Sequence, residues 1–163
     1  MPVPSDTIHR PSLVRDAARL QEALAGLIRV LQFRDRDRAC CYALSVSQCH
    51  ALLTLIQNGP MPVTQLGDHL YLEKSTASRL AKAMLEKELV RKRAPQADGR
   101  IVILQVTEAG NRLARKILND LAEEYMDLLE EFEPEVRGAL PLLLDRLTQT
   151  ISGRTDPRGP TCC

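Results

Sequence analysis

The stretch from Thr64 to Val106 restricts what this chain can fold into more than any other. Within it, Lys74 to Glu88 has two unlike faces. Ala77, Leu80, Ala81 and Met84 fall three or four residues apart, the spacing of helical turns, and so define one buried side. Ser75, Ser78, Arg79 and Lys82 recur at the same spacing on the other side, with Thr76 beside them. An ordinary solvated face mixes Glu with Lys. Hydroxyls interleaved with cations supply instead the donors that bond phosphate oxygens and base edges. Fifteen residues of helix span roughly 22 Å, long enough to cross a DNA major groove. The stripe alone also fits a solvated helix of an unrelated bundle, so its surroundings decide.

Upstream, Thr64 is a good cap for a short helix over Gln65–Leu70, in which Gly67 leaves room for close helix contact. Leu66, Leu70 and Leu72 supply the packing, and the two helices, joined through Tyr71-Leu72-Glu73, make a helix-turn-helix. Downstream, Leu89–Arg93 reads as a strand, Ala94–Arg100 with Pro95 and Asp98-Gly99 as its turn, and Ile101–Val106 as the returning strand. A two-stranded hairpin directly after a helix-turn-helix is a wing, and Arg100 at its tip would reach an adjacent minor groove. The candidate DNA-contacting residues are therefore Lys74, Ser75, Thr76, Ser78, Arg79, Lys82, Arg91 and Arg100.

The flanks are leucine seams. Leu13, Ala17, Leu20, Leu24, Leu27 and Leu31 step by four and three along a long amphipathic helix that Ser12 caps behind Pro11. This helix is expected to dissolve into the charge cluster Arg34–Arg38, with Ala39–Leu44 as a short connection. A second helix opens at Ser45 or Ser47, turns Val46, Cys49, Leu52, Leu53 and Ile56 inward, and stops at Asn58-Gly59-Pro60. From Thr107 a long helix runs to about Phe132 with Ile117, Leu121, Tyr125, Leu128 and Phe132 in line. Glu133-Pro134 starts the last helix, carrying Val136, Leu140, Leu143, Leu147 and Ile151, which Pro141 should bend or shorten at its start. Seams at both ends of a chain call for a partner helix. The expected organisation is an N-terminal dimerisation helix and connection (12–45), a winged helix-turn-helix (46–106), C-terminal dimerisation helices (107–152) and a tail (153–163).

Composition agrees with a mainly α fold bearing a small β-wing: aromatic residues are 3% of the chain, Trp is absent, and Leu and Ala dominate. The net charge of +1 is uninformative, but its distribution is not. Pro60–Val106 holds eight Lys/Arg against five acids, whereas Thr107–Val136 holds three against nine. A basic middle beside an acidic arm suits a protein that offers one face to a polyanion. No apolar run reaches the length of a membrane span and Met1–Arg10 lacks a signal-peptide core, so a cytoplasmic protein without membrane contact is expected. An enzyme would need a nucleophile with its base, a phosphate loop or a metal triad, and no such motif is visible. The rival is a winged helix that binds only protein; it would not need the hydroxyl-and-cation stripe.

These pieces together resemble the multiple-antibiotic-resistance-regulator (MarR) family of winged-helix transcription factors over about Leu13–Ile151. The resemblance rests on Leu66-Gly67 and Leu70, Lys74-Ser75-Thr76-Ala77-Ser78-Arg79-Leu80, Leu89-Val90-Arg91, Asp98-Gly99-Arg100, and Leu104 with Thr107-Glu108-Ala109-Gly110, in that order and spacing. It implies a homodimer with intertwined terminal helices, two winged helices on a pseudo-palindromic operator, and repression as the usual outcome. It also implies that Asp98 orders the wing and Arg100 enters the minor groove; Gly99 departs from the Arg that the family commonly has there.

Such regulators often release DNA when a ligand or oxidant acts near the junction of dimer helices and winged helix. Cys40, Cys41 and Cys49 are expected near that junction. If Cys40 and Cys41 share a loop they would converge, and three thiolates would suit a soft metal or metalloid ion such as arsenite as effector. Alternatively one thiol is oxidised and captured by another. The competing readings are that Cys49 merely fills the core, or that an apolar or phenolic small molecule is sensed. Cys162 and Cys163 read as an incidental tail pair or as additional thiols folding back. No cofactor is required, and the absence of Cys-x-x-Cys and His-x-x-x-His spacings argues against structural zinc.

Overall fold

The computed structural model describes residues 10–93 and 102–153, the side chains of 10, 11 and 38–41 excepted. In chain order the elements are α1 (Arg10–Cys41), α2 (Val46–Asn58), β1 (Met61–Pro62), α3 (Val63–His69), α4 (Lys74–Glu86), β2 (Val90–Arg93), β3 (Ile103–Val106), α5 (Glu108–Glu130) and α6 (Pro134–Ser152). The chain divides into two compact units, residues 1–46 and 47–163.

The first unit is α1. It starts ahead of the expected Ser12 cap because Pro11 is tolerated in a first turn, where its missing N–H has no helical partner to lose. The charge cluster does not end it. Arg34 lies 3.8 Å from Asp35, Arg36 lies 3.9 Å from Asp37, and the Arg36 guanidinium sits 5.0 Å from the centre of the Phe33 ring. Opposite charges alternate here and offset one another along the helix, which continues to Cys41, so the connection shrinks to Tyr42–Ser45.

The second unit is built around five fully buried side chains: Leu52 of α2, Leu66 of α3, Met84 of α4, Leu104 of β3 and Ile117 of α5. Helix α2 buries Ala51, Leu52 and Leu55, while Val46, Cys49, Leu53 and Ile56 are only half-buried. Its inner face is thus turned from the expected one by about a residue. Gly59, at φ 79°, ends the helix as its sequence suggests, and its N–H bonds the Leu55 carbonyl at 3.0 Å.

The sheet has three strands rather than two, in the order β1-β3-β2, all antiparallel. Met61 pairs with Leu104 and Pro62 with Ile103, placing β1 at the edge where proline is accommodated. This extra strand moves the start of α3. Pro62 occupies the N-cap position and the Val63 N–H is taken by the Val102 carbonyl at 3.1 Å, so the helix begins directly off the sheet and Thr64 lies inside its first turn.

After β3, Thr107 caps α5: its hydroxyl oxygen accepts from the Gly110 N–H at 3.1 Å, and its hydroxyl reaches the carbonyls of Glu88 (2.7 Å) and Leu89 (3.1 Å). Burial on α5 stops at Ile117; Tyr125, Leu128 and Phe132 of the expected seam are exposed. Arg137 from α6 closes the end of α5, its Nε donating to the Phe132 carbonyl at 2.6 Å and an Nη to that of Glu130 at 3.3 Å. Helix α6 runs unbroken through Pro141, which does not shorten its start, and buries no residue at all. None of the helices described is long and apolar enough to cross a membrane.

Candidate nucleic-acid interface

Helix α4 buries Ala77, Leu80, Ala81 and Met84, the four residues expected of its inner face. A side chain every 100° then places the rest. Ser75, Arg79, Lys82 and Glu86 run along the line opposite the buried face, and all but the half-buried ones among its neighbours stand open to solvent, Ser75, Arg79 and Lys82 being exposed. Lys74 and Ser78 flank that line on one side; Thr76, half-buried, flanks it on the other. The Arg79 guanidinium donates to the Thr76 hydroxyl at 3.3 Å, and Lys82 stands 3.9 Å from Glu86. Bonds this exposed contribute little to stability and leave the side chains ready to exchange partners.

The helix is held at both ends by backbone geometry rather than by side-chain caps. Glu73 occupies the N-cap without a side-chain bond, and the turn before it is sharpened by Tyr71 at φ 53°. Packing against α3 is close because of Gly67: a Cβ there would lie 2.9 Å from the Ala77 Cβ, closer than such atoms approach. At the other end Glu88, at φ 56°, reverses the chain, and the Leu89 N–H bonds the Met84 carbonyl at 3.1 Å. Thr107 then ties Glu88 and Leu89 to the start of α5. The polar line of α4 is therefore fixed relative to the sheet.

On β2, Val90 is buried and Arg91, Lys92 and Arg93 are exposed. Alternation along the strand puts Lys92 on the Val90 side and Arg91 on the opposite side. Arg91 donates to Gln105, its partner across the ladder, at 3.2 Å. Lys92 faces a groove of about 490 Å³ whose walls include Thr64 of α3, Lys74, Ser78 and Lys82 of α4, and Val102. Sequence reasoning singles out Arg91 as the cation of this strand and misses Lys92. The signal that finds it is the period of two, once Val90 is known to point inward.

The other candidates are dispersed. Asp98 and Arg100 lie outside the described residues, as do Cys162 and Cys163. Cys40 and Cys41 occupy the last turn of α1, not a loop, and consecutive helical positions are turned by about 100° from each other. They belong to the first unit, whereas Cys49 carries a half-buried thiol on α2 in the second. Among the described residues no three His, Cys, Asp or Glu side chains are grouped as metal ligands.

This helix-turn-helix, followed by a strand pair whose first strand is basic, has counterparts among known proteins. The MarR family model matches residues 44–102, from the residues before α2 to the returning strand. Over these residues the chain carries a MarR-family domain. The family consists of transcriptional regulators rather than enzymes. The chain is 27% identical over 132 residues, 81% of its length and 92% of the relative's, to the uncharacterised HTH-type transcriptional regulator YxaD of Bacillus subtilis (strain 168). It is 28% identical over 109 residues, 65% of its length and 74% of the relative's, to the organic hydroperoxide resistance transcriptional regulator of the same organism. Among solved structures it resembles a MarR family protein from Bacillus stearothermophilus, with a TM-score of 0.75 and 25% identity over 85% of this chain and 96% of that one.

Proposed function

We propose that this chain is a MarR-family regulator, a homodimer that binds a pseudo-palindromic DNA operator, represses transcription there, and leaves when an effector acts on it. The observation that carries the reading is α4: four apolar residues hold it in the core while Ser75, Arg79 and Lys82 project along its outermost line. Laid in a major groove, that line would set Arg79 and the serines against base edges and leave Lys74 and Lys82 for flanking phosphates. Dimerisation is supported by what one protomer leaves uncovered. Leu142 is 70% and Leu143 65% exposed on α6, Leu13 is 65% exposed on α1, and α5 adds Leu128 and Tyr125. Apolar helical faces of this extent are interfaces far more often than solvated surface. A twofold dimer would set two copies of α4 about one turn of DNA apart, or a small multiple of it.

The test is a fluorescence-anisotropy titration against duplex from the protein's own promoter region at rising KCl. DNA binding weakens steeply with salt, and a protein-only module gives no such titration. Retention of a labelled promoter duplex at low salt, lost as KCl rises, is expected; indifference to every duplex would overturn the reading.

For the effector, thiol oxidation is favoured over an apolar ligand by the half-buried Cys49 thiol and by the similarity to the organic hydroperoxide resistance regulator. The Cys49 thiolate would attack the O–O bond of a hydroperoxide, becoming a sulfenate while the peroxide leaves as the alcohol; protonated from solvent to the sulfenic acid, it would then condense with a second thiol to a disulfide, releasing water. Capture of a soft metal or metalloid ion by Cys40, Cys41 and Cys49 is the other thiol chemistry. Exposing the DNA complex to an organic hydroperoxide and to arsenite, with and without blocked thiols, separates the two.

A further inference from the structure

The groove between α4 and β2 adjoins the polar side of α4, sharing Lys74, Ser78 and Lys82 with it. Its walls carry three lysines, Lys74 and Lys82 from one helix face and Lys92 from the strand, with the hydroxyls of Thr64 and Ser78 between them. No carboxylate is among the described residues that line it, and only Lys82 of the three pairs with an acid among the described residues, Glu86 at 3.9 Å. With one exposed carboxylate, Glu86, set against three ammonium groups among the described residues, the excess positive charge favours the entry of an anion. We propose that this groove is a cradle for the sugar-phosphate backbone of bound DNA and that Lys92, with Lys74, neutralises phosphates in it. The inference rests on the DNA-binding reading and deepens it, adding a phosphate-binding residue on the opposite side of the strand from Arg91.

The chemistry fits the position. A lysine is a point charge on a flexible stem and suits a phosphate that needs charge rather than a fixed fork of donors. Lys92 hangs from a strand anchored by the buried Val90 and paired residue for residue with β3, from Val90 with Val106 to Arg93 with Ile103. Its base is therefore rigid while its ammonium can adapt. Phosphate bonds position a protein on DNA without reading sequence, so Lys92 should contribute equally on any duplex.

The experiment measures log K against log [KCl] for the full chain on a promoter duplex and on a scrambled duplex of the same length. Lys92→Gln should flatten the slope by about 0.9 for each phosphate that the lysine neutralises, which shrinks the affinity ratio between 50 and 200 mM salt by about 3.5-fold per phosphate. The flattening should be equal on both duplexes, and Lys92→Arg should restore it. Lys116→Gln, which removes an ammonium paired with Asp120 on α5, should leave the slope unchanged. If the wild type binds with a steep slope and Lys92→Gln matches it, or alters sequence preference instead, the cradle is refuted while DNA binding stands. If the wild type binds neither duplex, the DNA reading itself falls.

Discussion

Replacing Gly110 with alanine sets two effects of opposite sign against each other. Gly110 lies in the first turn of α5, and alanine is favoured over glycine in a helix by about 1 kcal/mol. On propensity alone the variant should be more stable. The surroundings dictate otherwise. A Cβ at Gly110 would overlap the Leu89 carbonyl oxygen and lie 2.8 Å from a Val106 methyl carbon. Both neighbours are held: Leu89 accepts the Thr107 N–H at 3.0 Å, and Val106 pairs with Val90 in the sheet. Relief requires α5 to back away from the start of β2, which strains the core by about 1–3 kcal/mol. It also stretches the Thr107 cap, a further ~1 kcal/mol. Setting about 1 kcal/mol of propensity against these leaves a net destabilisation of roughly 1–3 kcal/mol. For a chain of this size that lowers Tm by about 2–12 °C, at roughly 2–4 °C per kcal/mol. Thermal unfolding followed by circular dichroism reads the shift. Gly138 supplies the contrast within the same protein: it is helical in α6, and nothing lies within 4 Å of its would-be Cβ in the protomer. Gly138→Ala should gain up to about 1 kcal/mol. A Tm for Gly110→Ala equal to or above the wild type would refute the packing argument, since propensity would then have won at both sites.

Leu143→Glu should barely alter a lone protomer, where the side chain is largely exposed, yet it should break the dimer. Removing two leucines from the interface, at about 1.5–3 kcal/mol each, corresponds to a weakening of roughly 10²–10⁴-fold, read by sedimentation equilibrium over a concentration series. Arg79→Ala should relax sequence preference by about 1–3 kcal/mol at one base pair, whereas Lys82→Gln should weaken binding on operator and random DNA alike. Equal losses for both variants on both duplexes would remove the base-reading role of Arg79. Cys49→Ser should keep DNA binding but abolish release by an organic hydroperoxide; unchanged release in anisotropy would shift the sensing role to other thiols or to a small-molecule ligand.

What can be read along the chain is whatever local periodicity encodes. The inner face of α4 is legible residue for residue, because a helix repeats every 3.6 positions whatever it packs against, and Ala77, Leu80, Ala81 and Met84 are buried as that period demands. Gly59 and Gly67 are legible for a related reason: one must turn the chain where L side chains rarely go, the other must let two helices touch. The seams at both ends are visible too, and one protomer leaves most of their large residues exposed.

Tertiary structure decided the features that depend on what lies across from a segment. Met61-Pro62 is two residues long and has no period of its own; it is a strand only because β3 offers an unpaired edge, and that pairing moved the start of α3 from Gln65 to Val63. Helix α2 turned its face from Ile56 toward Leu55 because its neighbours, and not its own spacing, set which of several apolar residues is covered. Lys92 is the functional instance. Three consecutive cations look alike in sequence, and only the burial of Val90 tells which of them faces α4. Backbone propensity acts between neighbours in the chain, whereas the side on which a charge emerges is settled by packing against residues far away in it.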